Sequence, residues 1–329
     1  MPLITKGTRL AQLTIVATAL LWTGCKPTEG AGSADRRATN GSDTSSKKDS
    51  SAAASDRVGT NGRYADVNGL KMYYEIHGTG KPLVLLHGAF SQIRTDYSNM
   101  IPRWAENRQI IAIEQQGHGH TADIDRPLTY RQMGDDTAEL LKQLQIENAD
   151  FFGYSLGGGI ALDIAIHHPE LVHKIVDMGG SMYRAEGFHP ELMKMEATMT
   201  ADMMKDTPWK ASYDSVAPNR ADFPRLVDKI KLLDTKFAGW SAKDVQGIRA
   251  PVMLIVGDAD VVRLEHVVEF FHLVGGGVAG DLQPIPASQL AVLPGTNHQL
   301  MVARTDWLVS MTNAFLDAPP PAPMTSTPK

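Results

Sequence analysis

Residues 150–168 read Asp150-Phe151-Phe152-Gly153-Tyr154-Ser155-Leu156-Gly157-Gly158-Gly159-Ile160-Ala161-Leu162-Asp163-Ile164-Ala165-Ile166-His167-His168. The start, Asp150 to Phe152, has the apolar character of a short buried strand. From Leu156 to His168 the chain is apolar nearly all round, which is the pattern of a buried helix ending before Pro169. Between them lies Gly153-Tyr154-Ser155-Leu156-Gly157, a Gly-x-Ser-x-Gly sequence. A strand that turns sharply into a helix forces its central residue into a strained backbone and leaves no room for large neighbours, hence the flanking glycines. The turn predicts that the Ser155 hydroxyl stands exposed at a helix N-terminus, where unpaired amides favour a developing negative charge.

Outward from this turn the chain alternates strand and helix. Tyr64–Val67 and Leu70–Ile76 flank Asn68-Gly69, a strong hairpin signal, so an antiparallel pair is expected first. Short apolar runs at Pro82–Leu86, Gln109–Ile113, Lys174–Met178, Val252–Val256 and Gln289–Leu293 read as further buried strands. Thr129–Leu144 reads as an amphipathic helix, with Met133, Thr137, Leu140, Leu141 and Leu144 on one face. The pattern predicts an α/β fold: a mostly parallel sheet covered by helices on both faces, with ligands beyond the C-terminal strand ends. Some 73 residues separate the strand ending at Met178 from that beginning at Val252, more than one crossover needs, so an inserted helical cap is expected at about residues 184–246. Within it, Leu192, Met195, Met199 and Met203 fall on one face of an expected helix after Pro190, either packing the cap onto the core or lining a deformable acyl pocket.

A serine hydroxyl is a poor nucleophile at neutral pH and needs a base, itself oriented by an acid. His298, in Pro294-Gly295-Thr296-Asn297-His298, follows the last expected strand and is the candidate base. Asp260, in Val256-Gly257-Asp258-Ala259-Asp260, follows the penultimate strand and is the candidate acid. Asp258 competes, but its place nearer the strand suits shaping the turn. Two backbone donors are needed for an oxyanion. Leu156 supplies the amide after the nucleophile, and His87-Gly88-Ala89-Phe90 has the small residues for the second, Ala89 first and Phe90 in reserve.

The order of His-Gly loop, Gly-x-Ser-x-Gly turn, Asp after a strand and then His resembles the α/β-hydrolase superfamily over about residues 63–317. Glu114-Gln115-Gln116-Gly117-His118-Gly119-His120-Thr121 also resembles a loop of that family, with Gln116 and Thr121 where members usually carry Arg and Ser. The resemblance implies a serine hydrolase working through an acyl-enzyme, without cofactor or metal. Its nearest relatives by this reading are capped carboxylesterases, lactonases, cofactor-free perhydrolases and carbon-carbon-bond hydrolases, with acyl transfer to an acceptor other than water as a further possibility. A serine at the turn argues against epoxide hydrolases and haloalkane dehalogenases, which carry Asp there. The expected substrate is a small ester or lactone, and a non-enzymatic binding module is the remaining alternative. His118 and His120, taken as exposed and without a carboxylate pattern, do not suggest a metal site.

Formal charge is 32 − 37 = −5, with no long basic run, which argues against nucleic-acid partners. Cys25 is the single cysteine, so no disulfide can form within the chain and no cysteine-based zinc site can be built. Lys6 and Arg9 precede an apolar run from Leu10 to Trp22, as in a secretory signal, and Leu21-Trp22-Thr23-Gly24-Cys25 resembles the lipobox of bacterial lipoproteins. The expectation is a signal over residues 1–25, lipidation at Cys25, and export to a membrane-anchored position or otherwise to the periplasm or medium. Residues 26–62 read as a flexible tether and residues 318–329 as a proline-rich tail.

Overall fold

The computed structural model describes residues 61–180 and 184–319. The expected signal, Cys25 and most of the tether lie outside the described residues, as does most of the tail. Eight strands form one sheet: β1 (Gly62–Val67), β2 (Leu70–His77), β3 (Lys81–Leu86), β4 (Arg108–Glu114), β5 (Ala149–Tyr154), β6 (Val172–Met178), β7 (Val252–Ala259) and β8 (Gln289–Asn297). The helices are α1 (Ile93–Tyr97), α2 (Ile101–Trp104), α3 (Tyr130–Gln143), α4 (Leu156–His167), α5 (Pro190–Thr198), α6 (Ala201–Met204), α7 (Pro208–Val216), α8 (Phe223–Lys236), α9 (Ala242–Gln246), α10 (Leu264–Leu273) and α11 (Thr305–Asp317). The sheet order is β1-β2-β4-β3-β5-β6-β7-β8. β2 is antiparallel to both β1 and β4, and all other neighbours are parallel. The hairpin turn has both central residues at positive φ, Asn68 at 47° and Gly69 at 83°, as its Asn-Gly sequence allows.

The inner parallel strands β3 to β7 are apolar on both sides because both sides are covered, whereas the edge strand β8 is largely exposed. Val84, Leu86, Ile111, Phe151, Ile175 and Leu254 face one apolar cluster, built with α3, α4, α10 and the helices between β6 and β7. Their chain neighbours Leu83, Leu85, Ile110, Phe152, Val176 and Met253 face a second, built with α1, α2 and α11. The period-2 alternation thus divides each strand between two cores. The shared direction of these parallel strands places the loops after β3, β5, β7 and β8 together at the C-terminal end of the sheet.

The cap is helical as expected, but its methionines do not form one face. The chain leaves the helix at Met199, which is extended (ψ 136°), and Thr200 caps a new helix by accepting from the Met203 amide. With the helix broken there, Met195 and Met203 are exposed while Met199 packs against the core. The expected acyl-lining stripe is therefore absent from these positions.

Candidate active site

The loop between β5 and α4 has the close packing its glycines require. A Cβ on Gly157 would lie 1.9 Å from the Leu86 carbonyl oxygen, and one on Gly153 would lie 2.3 Å from the Gly157 oxygen. Strand, turn and helix touch backbone to backbone, and Ser155 between them is held at φ 52°, ψ −114°, a conformation a non-glycine residue adopts at a cost of about 1–3 kcal/mol. The surrounding sheet enforces it: the Ser155 amide donates to the Met178 carbonyl at 2.8 Å.

His298 reaches this serine from the end of β8, with Nε2 2.9 Å from Ser155 Oγ. On its other side, Nδ1 lies 2.7 Å from Asp260 Oδ1. An ionised carboxylate only accepts, so the ring proton sits on Nδ1 and the Nε2 lone pair faces the serine hydroxyl. The Asp260 side chain is 0% exposed and that of His298 is 17% exposed. Asp260 also accepts from the Gly257 and Val262 amides at 3.1 and 3.3 Å, which holds the carboxylate in place. Asp258 points elsewhere: it is exposed and accepts from the Gly295 and Thr296 amides at 2.8 and 2.9 Å. Those amides, Thr296 first, hold its carboxyl below the usual range, and its work is to shape the β8 turn. The structure therefore brings together Ser155, His298 and Asp260, and leaves Asp258 out.

The loop after β3 approaches the same serine, for a Cβ on Gly88 would lie 3.5 Å from Ser155 Cβ. Its orientation is set by His87. The Gln115 amide donates to His87 Nε2 at 3.0 Å, so the proton is on Nδ1, which donates to the Gly88 carbonyl at 2.8 Å. The Ser91 amide donates to the same oxygen at 3.3 Å. In a trans peptide the next N–H, that of Ala89, points the opposite way from the held carbonyl. On the near side, the Gly88 amide donates to Asp96 Oδ2 at 2.9 Å. Burial lowers His87 to about 4, with the nearby His118 adding to the effect. Burial raises Asp96 to about 6 against the pull of its hydrogen bonds. Sequence reading valued this loop only for its small residues; the roles of His87 and Asp96 depend on partners it could not see.

The loop after β4 is structural in its contacts. Gln116 bonds Asp123, the Ile124 and Arg126 carbonyls and the Arg126 side chain, while Thr121 bridges Tyr73 and Glu114. Two expectations about its histidines need correction: His118 is buried rather than exposed, and His120 does meet a carboxylate, that of Glu114 at 2.9 Å. Among the described residues no group of three or more His, Cys, Asp or Glu could hold a metal ion.

Glu196 on α5 and Asp234 on α8 add acidic groups within the cap. Burial raises both carboxyls, and His298 is close enough to draw Glu196 back down. Glu196 Oε2 is sealed from solvent with no hydrogen-bond partner among the described residues.

The family profile of the alpha/beta hydrolase family matches residues 83–311. The chain belongs to that family. This α/β-hydrolase is 35% identical over 124 residues to a 2-hydroxymuconate semialdehyde hydrolase of Pseudomonas sp. (strain CF600), covering 36% of this chain and 44% of that protein. It is 34% identical over 131 residues to a soluble epoxide hydrolase of Corynebacterium sp. (strain C12), covering 38% and 44%. The matches span under half the length of these curated relatives. Among solved structures, a carboxylesterase, CesB, from Bacillus subtilis superposes with a TM-score of 0.59 at 16% identity, covering 78% of this chain and 91% of that one. At that identity the likeness concerns the fold.

Proposed function

We propose that this α/β-hydrolase cleaves the carboxylic ester of a small substrate through an acyl-enzyme formed on Ser155. The observation that carries the reading is the single imidazole of His298 bridging Ser155 Oγ and a buried carboxylate. In the first half-reaction Ser155 Oγ attacks the ester carbonyl carbon while His298 Nε2 takes the hydroxyl proton, and Asp260 stabilises the imidazolium. The oxyanion is held by the amides of Leu156, at the open N-terminus of α4, and of Ala89. Collapse expels the alkoxide, which takes the proton from Nε2 and leaves as alcohol. Water then gives a proton to His298 as its oxygen attacks the acyl carbon, and the second collapse returns that proton to Ser155 Oγ and releases the acid.

A hydroxyl nucleophile paired with an imidazole suits acyl transfer rather than the carboxylate-nucleophile opening of an epoxide, whatever the likeness to an epoxide hydrolase. Lactones use the same residues on a cyclic ester, and peroxide in place of water would make a peracid.

Initial rates across p-nitrophenyl esters from acetate to palmitate, beside lactones and an ester bearing a carboxylate, test the reading. A short-to-medium optimum with neutral esters, abolished in Ser155→Ala, is expected. Lactone rates far above every ester would replace esterase with lactonase. Silence on all of them, with no fluorophosphonate labelling, would leave a binding module. Export and lipid attachment at Cys25 belong to the same proposal; an unchanged membrane fraction for Cys25→Ser would refute the lipid attachment.

A further inference from the structure

The oxyanion loop is fastened to the cap as well as to the core. Gln92 ends this loop and precedes the first turn of α1. It is 3% exposed, and its Nε2 donates to Ser212 Oγ at 2.7 Å and to the Ser212 carbonyl at 3.2 Å. Ser212 lies on cap helix α7, 120 residues away in sequence. Two residues before Gln92, Phe90 is held at φ 60°, with its ring 6.3 Å from Phe223 at the start of α8. Phe223 in turn packs at 5.1 Å against Tyr213, the neighbour of Ser212. A polar and an aromatic contact from the same three residues thus meet the same corner of the cap.

Gln92 is not among the residues that usually begin a helix, which are Ser, Thr, Asp and Asn. The amides there are served by others: Thr95 Oγ1 accepts from the Gln92 amide at 3.0 Å and Glu114 Oε1 from the Ile93 amide at 3.3 Å. The long amide side chain is thereby free to reach the cap. Between its anchor and the Gly88 carbonyl stands only the turn closed by the Ser91 amide, so movement of α7 is passed to the peptide that carries the Ala89 N–H.

We propose that Gln92 is a positioning residue that couples the seating of cap helix α7 to the oxyanion loop, so that the cap sets transition-state stabilisation as well as access. The inference rests on the reading of Ala89 as an oxyanion donor.

The test uses the full chain with Gln92→Leu, Ser212→Ala and their combination. Readouts are kcat and KM on the best p-nitrophenyl ester and Ki for a trifluoromethyl ketone, which forms an oxyanion on the serine. The expected result for Gln92→Leu is about a tenfold fall in kcat and a matching rise in Ki with KM within twofold, a partial loss of the 10²–10³ that a whole donor supplies. Ser212→Ala should fall in the same direction, and the double variant should add little. If Gln92→Leu does not fold, Ser212→Ala carries the test. Retained kcat and Ki in the folded variants, or a rise in KM alone, would overturn the proposal. Should the wild type turn over no ester and take no fluorophosphonate label, the parent reading fails and the proposal with it; an active wild type with unaffected variants removes the latch alone.

Discussion

Replacing Asp260 by Asn changes one atom and isolates the charge that faces His298. The Asp260 Oδ1 to Nδ1 distance is 2.7 Å and the carboxylate is fully buried. With charge centres about 4 Å apart and an effective dielectric of about 20, the carboxylate stabilises the imidazolium by roughly 4 kcal/mol, close to 10³ in rate. An amide that donates to Nδ1 also favours the wrong tautomer, so a loss of kcat of about 10³–10⁴ is expected, with KM little changed. Asp258→Asn should leave kcat within a few-fold, because its carboxylate serves Gly295 and Thr296 rather than the imidazole. The assay is steady-state hydrolysis of the preferred p-nitrophenyl ester, with circular dichroism to verify that both variants are folded. Greater damage from Asp258→Asn than from Asp260→Asn would refute the assignment of the acid.

Gly157→Ala should cut turnover at least about 100-fold while the strands remain, because its Cβ meets the Leu86 backbone oxygen at 1.9 Å and the turn must shift relative to β3; steady-state rates beside far-ultraviolet circular dichroism check this. Lys174 is buried, and its ammonium donates to the carbonyls of Phe315, Leu316 and Ala318 at 2.9, 3.1 and 2.7 Å, closing the end of α11. Lys174→Met should cost about 2–3 kcal/mol, a fall in melting temperature of roughly 4–10 °C by calorimetry, with kcat intact below the transition. His118 is 1% exposed and burial lowers it to about 4 from 6.5. Because the folded value is the lower one, its contribution is complete above pH 6.5 and is lost as pH falls toward 4, by up to about 3 kcal/mol. The stability of the wild type relative to His118→Gln, from urea unfolding, should therefore decline across that interval, and a flat difference would contradict the buried neutral imidazole.

The inner parallel strands β3 to β7 were legible because each is buried on both faces and reads as an apolar run, and the hairpin because Asn68-Gly69 can hold two positive φ angles. The strand ends ran one to four residues beyond the apolar runs, into polar residues such as Arg108 and Glu114, which are buried with polar partners, and into the turn residues Gly295 to Asn297 at the end of β8. Within the cap the helical spacing of methionines was real, but Thr200 restarts the helix and defeats it, a local capping choice that periodicity alone does not reveal. Ser155, His298 and Asp260 could be named because each follows a strand at the C-terminal end of the sheet. Their supports could not. His87 depends on the Gln115 amide and Gln92 on Ser212, pairs made by the folded sheet and cap rather than by neighbouring sequence. For the same reason His118, polar and flanked by glycines, read as exposed although it is buried beside the His87 ring of the loop after β3.

The central claim is a covalent intermediate on Ser155, and the most direct measurement is intact-mass spectrometry of the protein acid-quenched during turnover of a p-nitrophenyl ester. The account predicts a mass increase equal to the acyl group, localised by peptide mapping to Ser155 and absent from Ser155→Ala. Rapid ester turnover by Ser155→Ala, or an acyl adduct on another residue of the wild type, would contradict it.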